Sequence, residues 1–170
     1  MMNNVRAIIF DLDGTLFDLN PLVRNARQRV ADFLHQNDLF ASRAYALRRL
    51  NSLERRHGPY YSSSPYYFAF YDIAKALFKD KPERIHQLTR KTDPDADPIE
   101  AFVGVLEQIY NAEDVEDIAP YPDAVQTLSE LREAGYLLFL VTLGRSSRQQ
   151  NKIDRLGIGP YFHRIINEGP

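Results

Sequence analysis

Hydrophobic and polar positions divide the chain into three stretches of different rhythm. In the first, Val5, Ala7, Ile8, Ile9 and Phe10 make a nearly unbroken apolar run that stops at Asp11-Leu12-Asp13-Gly14. Such a run, closed by turn-forming residues, reads as a buried parallel strand. In the second stretch the apolar positions recur every three or four residues. Asn20-Pro21 reads as a helix start, followed by Leu22, Val23, Ala26, Val30, Phe33 and Leu34, with Arg24, Arg27 and Arg29 on the other side. Further helices are expected over residues 39–56, from the 62–65 loop to about 78, over 82–90, and from Asp97 to about 111. Asp97-Pro98-Ile99-Glu100 has the form of a capping box with Pro at the first helical position.

The third stretch begins at Ala119-Pro120-Tyr121-Pro122, where the rhythm changes. A helix carrying Ala124, Val125, Leu128, Leu131 and Ala134 is expected to stop at Gly135. Residues 136–141 form an apolar strand and 142–147 a loop ending in a serine N-cap. A helix over 148–156 stops at Gly157, and 163–167 supply a last strand. Strand, helical excursion, helix, strand, helix and strand make an α/β protein whose partial parallel sheet has about three strands. The sheet is assigned to residues 1–19 and 116–170, and the inserted helices to 20–115.

Composition narrows the class. Hydrophobic residues at 44% and charged residues at 26% are ordinary for a globular chain, and the net charge of −2 argues against generic nucleic-acid or anionic-membrane binding. With no cysteine there are no thiol nucleophiles, disulfides or Cys-based zinc sites. No secretory leader is visible, and the longest strongly apolar runs fall well short of the ~20 residues that span a bilayer. A cytoplasmic location is expected. The arginines of 43–56 are most simply a solvated helix face, and the Tyr-rich segment 60–71 most simply core, although one or two rings could stack on a substrate.

The chemistry gathers at two strand ends. Ligands of open α/β sheets bind beyond the carboxyl ends of strands, where Asp11 and Asp13 fall. Two carboxylates so close repel unless a cation or a reaction uses them, although Asp13-Gly14 would also serve as a plain turn. A calcium loop of the EF-hand type is excluded, because its sixth and twelfth positions would be Leu16 and Leu22. At the second strand end, the Thr142 hydroxyl and the backbone N–H groups of Leu143 and Gly144 could receive an anion, or Thr142 could be structural.

The string Asp11-Leu12-Asp13-Gly14-Thr15 after an apolar strand resembles the first signature of the haloacid dehalogenase-like hydrolases, most of them magnesium-dependent phosphatases. Thr142-Leu143-Gly144 resembles their second signature, with Leu143 where Asn is customary. The likeness covers nearly the whole chain and is weakest in the helical part. It implies a Rossmann-like sheet with an inserted α-helical cap that closes over the site and selects the substrate. It further implies Asp11 as nucleophile and Asp13 as general acid and base, with Mg²⁺ held by the Asp11 carboxylate and the Asp13 backbone carbonyl. Thr142 with the Leu143 and Gly144 backbone would bind phosphate. The second Asp disfavours carbon–halogen cleavage.

The resemblance also implies a lysine and a further acidic metal ligand, both expected beyond Pro170. Lys152 is the one lysine after Lys91 and hence the candidate for charge balance, although a surface position is the simpler expectation; Glu168 is an isolated acidic candidate. The expectation is an N-terminal portion of a longer hydrolase of small phosphorylated metabolites, nucleotide or sugar phosphates. The alternative is a non-catalytic phosphate-binding domain.

Overall fold

A computed structural model of the chain describes residues 6–57, 66–90, 96–112 and 118–169. In chain order the elements are β1 (Ala7–Phe10), α1 (Asn20–Gln36), α2 (Arg43–His57), α3 (Tyr67–Asp80), α4 (Pro82–Thr89), α5 (Pro98–Tyr110), α6 (Ala124–Glu133), β2 (Leu137–Leu143), α7 (Ser146–Leu156) and β3 (Arg164–Glu168), with a short 3-10 turn at Gly159–Tyr161 before β3. They fall into two compact units, Met1–Val23 with Glu113–Pro170, and Arg24–Ala112.

The first unit is the expected α/β fold. Its sheet is parallel throughout, in the order β1-β2-β3, with Phe10 opposite Leu140 and Thr142 opposite Asn167. Both steps across the sheet run in the same direction, so right-handed crossovers place α6 and α7 on one face. That face is the core. Leu138 and Leu140 of β2 pack with Leu128 of α6, Ile153 and Leu156 of α7, and Leu12, Leu16 and Phe17 from the loop after β1. Each such side chain, once buried, contributes about 1.5–3 kcal/mol. The opposite face carries Ile9, 68% exposed, and Leu143, 71% exposed. β1 is an edge strand of this sheet.

The second unit is helical in all its described elements. Its core joins Val30 and Leu34 of α1, Leu50 and Leu53 of α2, Phe70 and Ile73 of α3, Ile85 of α4 and Phe102 and Leu106 of α5. Asp97 caps α5, its carboxylate accepting from the N–H groups of Ile99 (2.8 Å) and Glu100 (3.1 Å). The capping box is half formed, because Glu100 accepts the Tyr67 hydroxyl instead of reaching back. Of the described aromatics in the segment, Phe70 is buried, Tyr66, Tyr67 and Tyr71 are half-buried against the core and Phe68 is exposed; the Tyr66 and Tyr110 rings lie 4.0 Å apart between centroids. Tyr60, Tyr61 and the 62–65 loop lie outside the described residues. Arg43, Arg48, Arg49, Arg55 and Arg56 are exposed along α2, a solvated face.

Several boundaries differ from expectation, each for a local reason. α2 starts at Arg43 and not near Leu39, because Ser42 Oγ accepts the Tyr45 N–H while Leu39 and Phe40 close the end of α1 on the Leu34 carbonyl. β2 runs through Thr142 and Leu143, which read as loop, because β3 pairs with them as far as Glu168. α7 begins at Ser146 with Arg145 as a cap residue that makes no side-chain cap bond, so no serine caps it. Arg27 and Arg29 are not a free polar face. Arg27 Nε donates to Glu54 at 2.9 Å, and Arg29 donates to the carbonyls of Ile109, Tyr110 and Ala112, covering orphan groups at the end of α5. Gly157 ends α7 with φ +65°, the left-handed position a C-terminal glycine supplies without strain.

Candidate active site

In the loop after β1, Leu12 is fully buried in the core, Asp11 is exposed and Asp13 is half-buried. Behind them Thr15 and Leu16 turn back onto the Leu12 carbonyl at 3.3 and 3.1 Å, and Gly14 takes φ +77°. Buried Leu16 and Phe17 pin the far end of the loop, with the Tyr121 N–H donating to the Leu16 carbonyl. Two carboxylates one residue apart are thereby fixed at the end of an edge strand.

β2 outruns β1 beside them. Phe10 is level with Leu140, so Thr142 and Leu143 extend past the end of β1 and flank the Asp loop. A cavity of about 540 Å³ opens there, lined by Asp11, Asp13, Thr142 and Leu143 together with Ile9, Phe10 and Val141. Thr142 is buried on the core side. Gly144 turns the chain with φ +130°, a conformation open to glycine, and Gly169 lies against it so closely that a Cβ there would strike the Gly144 backbone.

Lys152 departs from its expected surface position. It is 4% exposed, and its Nζ lies 2.6 Å from Asp13 Oδ1 and 2.9 Å from Oδ2. The Phe17 ring lies beneath it, centroid 5.8 Å from Nζ. Burial pushes the Lys152 ammonium below its usual range, and the Asp13 charge works against that shift. The physical reason for the correction is helical phase: residues 149, 152, 153 and 156 form the buried stripe of α7, and that stripe faces the sheet.

The same stripe carries a residue the sequence reading missed. Gln149 is 2% exposed, and its Nε2 lies 3.1 Å from Asp13 Oδ2, 2.5 Å from Thr142 Oγ1 and 2.8 Å from the Leu143 carbonyl. The signal was present, since counting back four residues from Ile153 lands on it. Asp11 is exposed and receives the Thr15 hydroxyl at 3.4 Å. Glu168 stands opposite Leu143 at the end of β3, and among the described residues there is no cluster of three or more His, Cys, Asp or Glu suited to a metal.

Oxygen donors are what Mg²⁺ takes, and it commonly rests on one or two carboxylates while keeping several waters. Asp11, exposed in a cavity beside a backbone turn, fits such partial ligation.

Two carboxylates, a hydroxyl and an ammonium gathered at the carboxyl ends of adjacent parallel strands define an α/β protein with a polar ligand site in the usual place for that class. Residues 5–169 match the haloacid dehalogenase-like hydrolases, and the chain belongs to that family. It is 27% identical to a glyceraldehyde 3-phosphate phosphatase of Methanopyrus kandleri over 95% of this chain and 61% of the relative. It is 24% identical to a pyrophosphatase of Bacillus velezensis, over 95% of this chain and 59% of that one. A haloacid dehalogenase-like hydrolase of Streptococcus pneumoniae shares the fold, with a TM-score of 0.53 at 21% identity over 99% of this chain and 64% of the other. The chain thus spans about three-fifths of the length of these curated relatives. Among the described residues no helix is long and apolar enough to cross a membrane.

Proposed function

We propose that the chain carries the nucleophile-bearing part of a cytoplasmic, Mg²⁺-dependent phosphomonoester hydrolase that acts on a small phosphorylated metabolite, a sugar phosphate or nucleotide. The observation that carries this reading is the convergence of Asp11, Asp13 and Thr142 on one strand-end cavity, with the buried Lys152 paired to Asp13 behind it at 2.6 Å. Family membership supports it, as do relatives named for the hydrolysis of small phosphate compounds.

In this reading an Asp11 carboxylate oxygen attacks phosphorus and the bond to the ester oxygen breaks, leaving an aspartyl-phosphate. Asp13 gives its proton to the departing oxygen, then takes one from the water that attacks the phosphorus, freeing phosphate and restoring Asp11. The Thr142 hydroxyl and the backbone at Leu143 and Gly144 hold the remaining phosphate oxygens. Lys152 balances charge through Asp13. Mg²⁺, held by the Asp11 carboxylate and the Asp13 backbone carbonyl, would supply charge neutralisation between carboxylate and phosphate. The helical unit takes the part of the family's cap.

The test is Mg²⁺-dependent phosphate release from a panel of phosphomonoesters that includes triose phosphates. It compares this chain, Asp11→Asn, and a version extended through the downstream reading frame. Activity that vanishes in Asp11→Asn supports the reading. A second reading, a non-catalytic phosphate-binding domain, draws on one observation: Lys152 is bonded to Asp13 and not to Asp11. Phosphate binding without turnover in both forms would favour it.

A further inference from the structure

We propose that Gln149 is a positioning residue that holds the proton-transferring carboxylate of Asp13 and the phosphate-binding hydroxyl of Thr142 in one fixed frame. The inference rests on the hydrolase reading above and assigns a function to a residue that reading does not use.

The geometry settles which end of the Gln149 amide faces the site. The Asp13 carboxylate and the Leu143 carbonyl can only accept hydrogen bonds, and both lie within 3.1 Å of the same Gln149 atom. That atom is therefore the NH₂ group. The Thr142 hydroxyl, 2.5 Å away, can therefore only accept, sharing with Asp13 and the Leu143 carbonyl the two protons that the NH₂ group carries. A hydroxyl that accepts from behind keeps its own proton for another acceptor, and Thr142 lines the cavity in which a phosphate oxygen would stand.

The contacts also join three separate pieces of chain. Asp13 comes from the loop after β1, Thr142 and Leu143 from the end of β2, and Gln149 from the second turn of α7. Side-chain carbons of Gln149 lie 3.6–3.7 Å from where a Gly144 Cβ would stand, so the same residue packs beneath the turn that follows Leu143. One helical turn further along α7, Lys152 grips the same Asp13 carboxylate. Lys152 supplies charge to Asp13, whereas Gln149 supplies direction: it alone of the two ties Asp13 to Thr142. A misplacement of about 1 Å between such groups is enough to slow a reaction by ~10²-fold.

A merely structural glutamine and a positioning one differ in what their loss does to different leaving groups. An alkyl phosphate expels a strongly basic alkoxide and needs the Asp13 proton, while p-nitrophenyl phosphate expels a stable phenolate and needs it little. The experiment compares kcat/KM, which reads the reaction as far as loss of the alcohol, for both esters in the unaltered protein, Gln149→Met and Gln149→Leu, using whichever of the 170-residue and extended forms turns over. Both replacements keep most of the bulk and lose the NH₂ donor without burying a second carboxylate beside Asp13, and each guards against a folding failure of the other. In both, kcat/KM for the alkyl ester is expected to fall about 10-fold or more beyond its fall for the p-nitrophenyl ester, the loss common to the two esters reporting the Thr142 contact. Equal losses on the two esters, or wild-type kinetics in both variants, would overturn the proposal. Failure of the underlying reading looks different: no ester turned over by any form, or turnover that survives Asp11→Asn. Either result removes this inference with it.

Discussion

Lys152 Nζ lies within 2.9 Å of both carboxylate oxygens of Asp13, although 139 residues separate them in the chain. The ammonium is almost wholly buried while the carboxylate keeps 26% of its side-chain surface in solvent. Removing one partner of a buried pair leaves the other charge uncompensated, at about 3–5 kcal/mol, and the exposure of Asp13 reduces that here to about 1–3 kcal/mol. Lys152→Met is therefore expected to lower stability by that amount in urea unfolding and to lower kcat/KM by more than about 10²-fold. A variant indistinguishable from wild type in both measurements would show that the pair contributes neither to stability nor to turnover.

Thr142 offers a sharper separation of chemistry from packing. Thr142→Val keeps the branched shape that suits a strand and loses the hydroxyl, while Thr142→Ser does the reverse. If the hydroxyl donates to phosphate, Val should cost about 10²-fold in kcat/KM and Ser less than about 5-fold. The opposite order, measured by phosphate release, would mean that Thr142 serves the sheet alone.

How much of this was legible follows from where each constraint lies. The apolar run before Asp11, the Asp97 cap and the Gly157 stop are local patterns, and each appears in the structure where the sequence placed it. The end of β2 was not local. Thr142-Leu143-Gly144 looks like a turn until β3 pairs with its first two residues, and that pairing is a tertiary fact. Lys152 and Gln149 were obscured by residue type: a polar side chain on a helix is ordinarily assigned to solvent, so their phase with Ile153 and Leu156 was outweighed. Buried polar groups out of place on an apolar stripe were the legible trace of the site.

Asp97 provides a test in the helical unit that is independent of catalysis. Its carboxylate takes two of the N–H groups that open α5, a helix bearing buried Phe102, Val103 and Leu106. Asp97→Ala should cost about 1 kcal/mol, and Asp97→Ser should recover most of it. Guanidinium unfolding followed by circular dichroism reads both. Equal stabilities of the alanine and serine variants would show that the cap bonds contribute nothing.

Glu54 gives the helical unit a pH dependence whose sign can be worked out. Its carboxylate bonds Arg27, yet burial raises its pKa above the ordinary value of 4.5 and outweighs the guanidinium, which lowers it. In the window just above 4.5 the folded chain therefore binds more protons at this position than the unfolded chain does. The contribution of Glu54 is fully present below that window and is lost as pH rises through the folded value. Glu54→Gln cannot titrate, and its amide oxygen still accepts from Arg27. The stability of wild type minus that of Glu54→Gln should thus decline as pH is raised from 4 to 7, a range of about three pH units chosen to bracket the shift. Thermal melts of the two proteins in matched buffers measure the difference directly. A difference that grows with pH would mean that Arg27 outweighs burial and holds the carboxylate in its charged form.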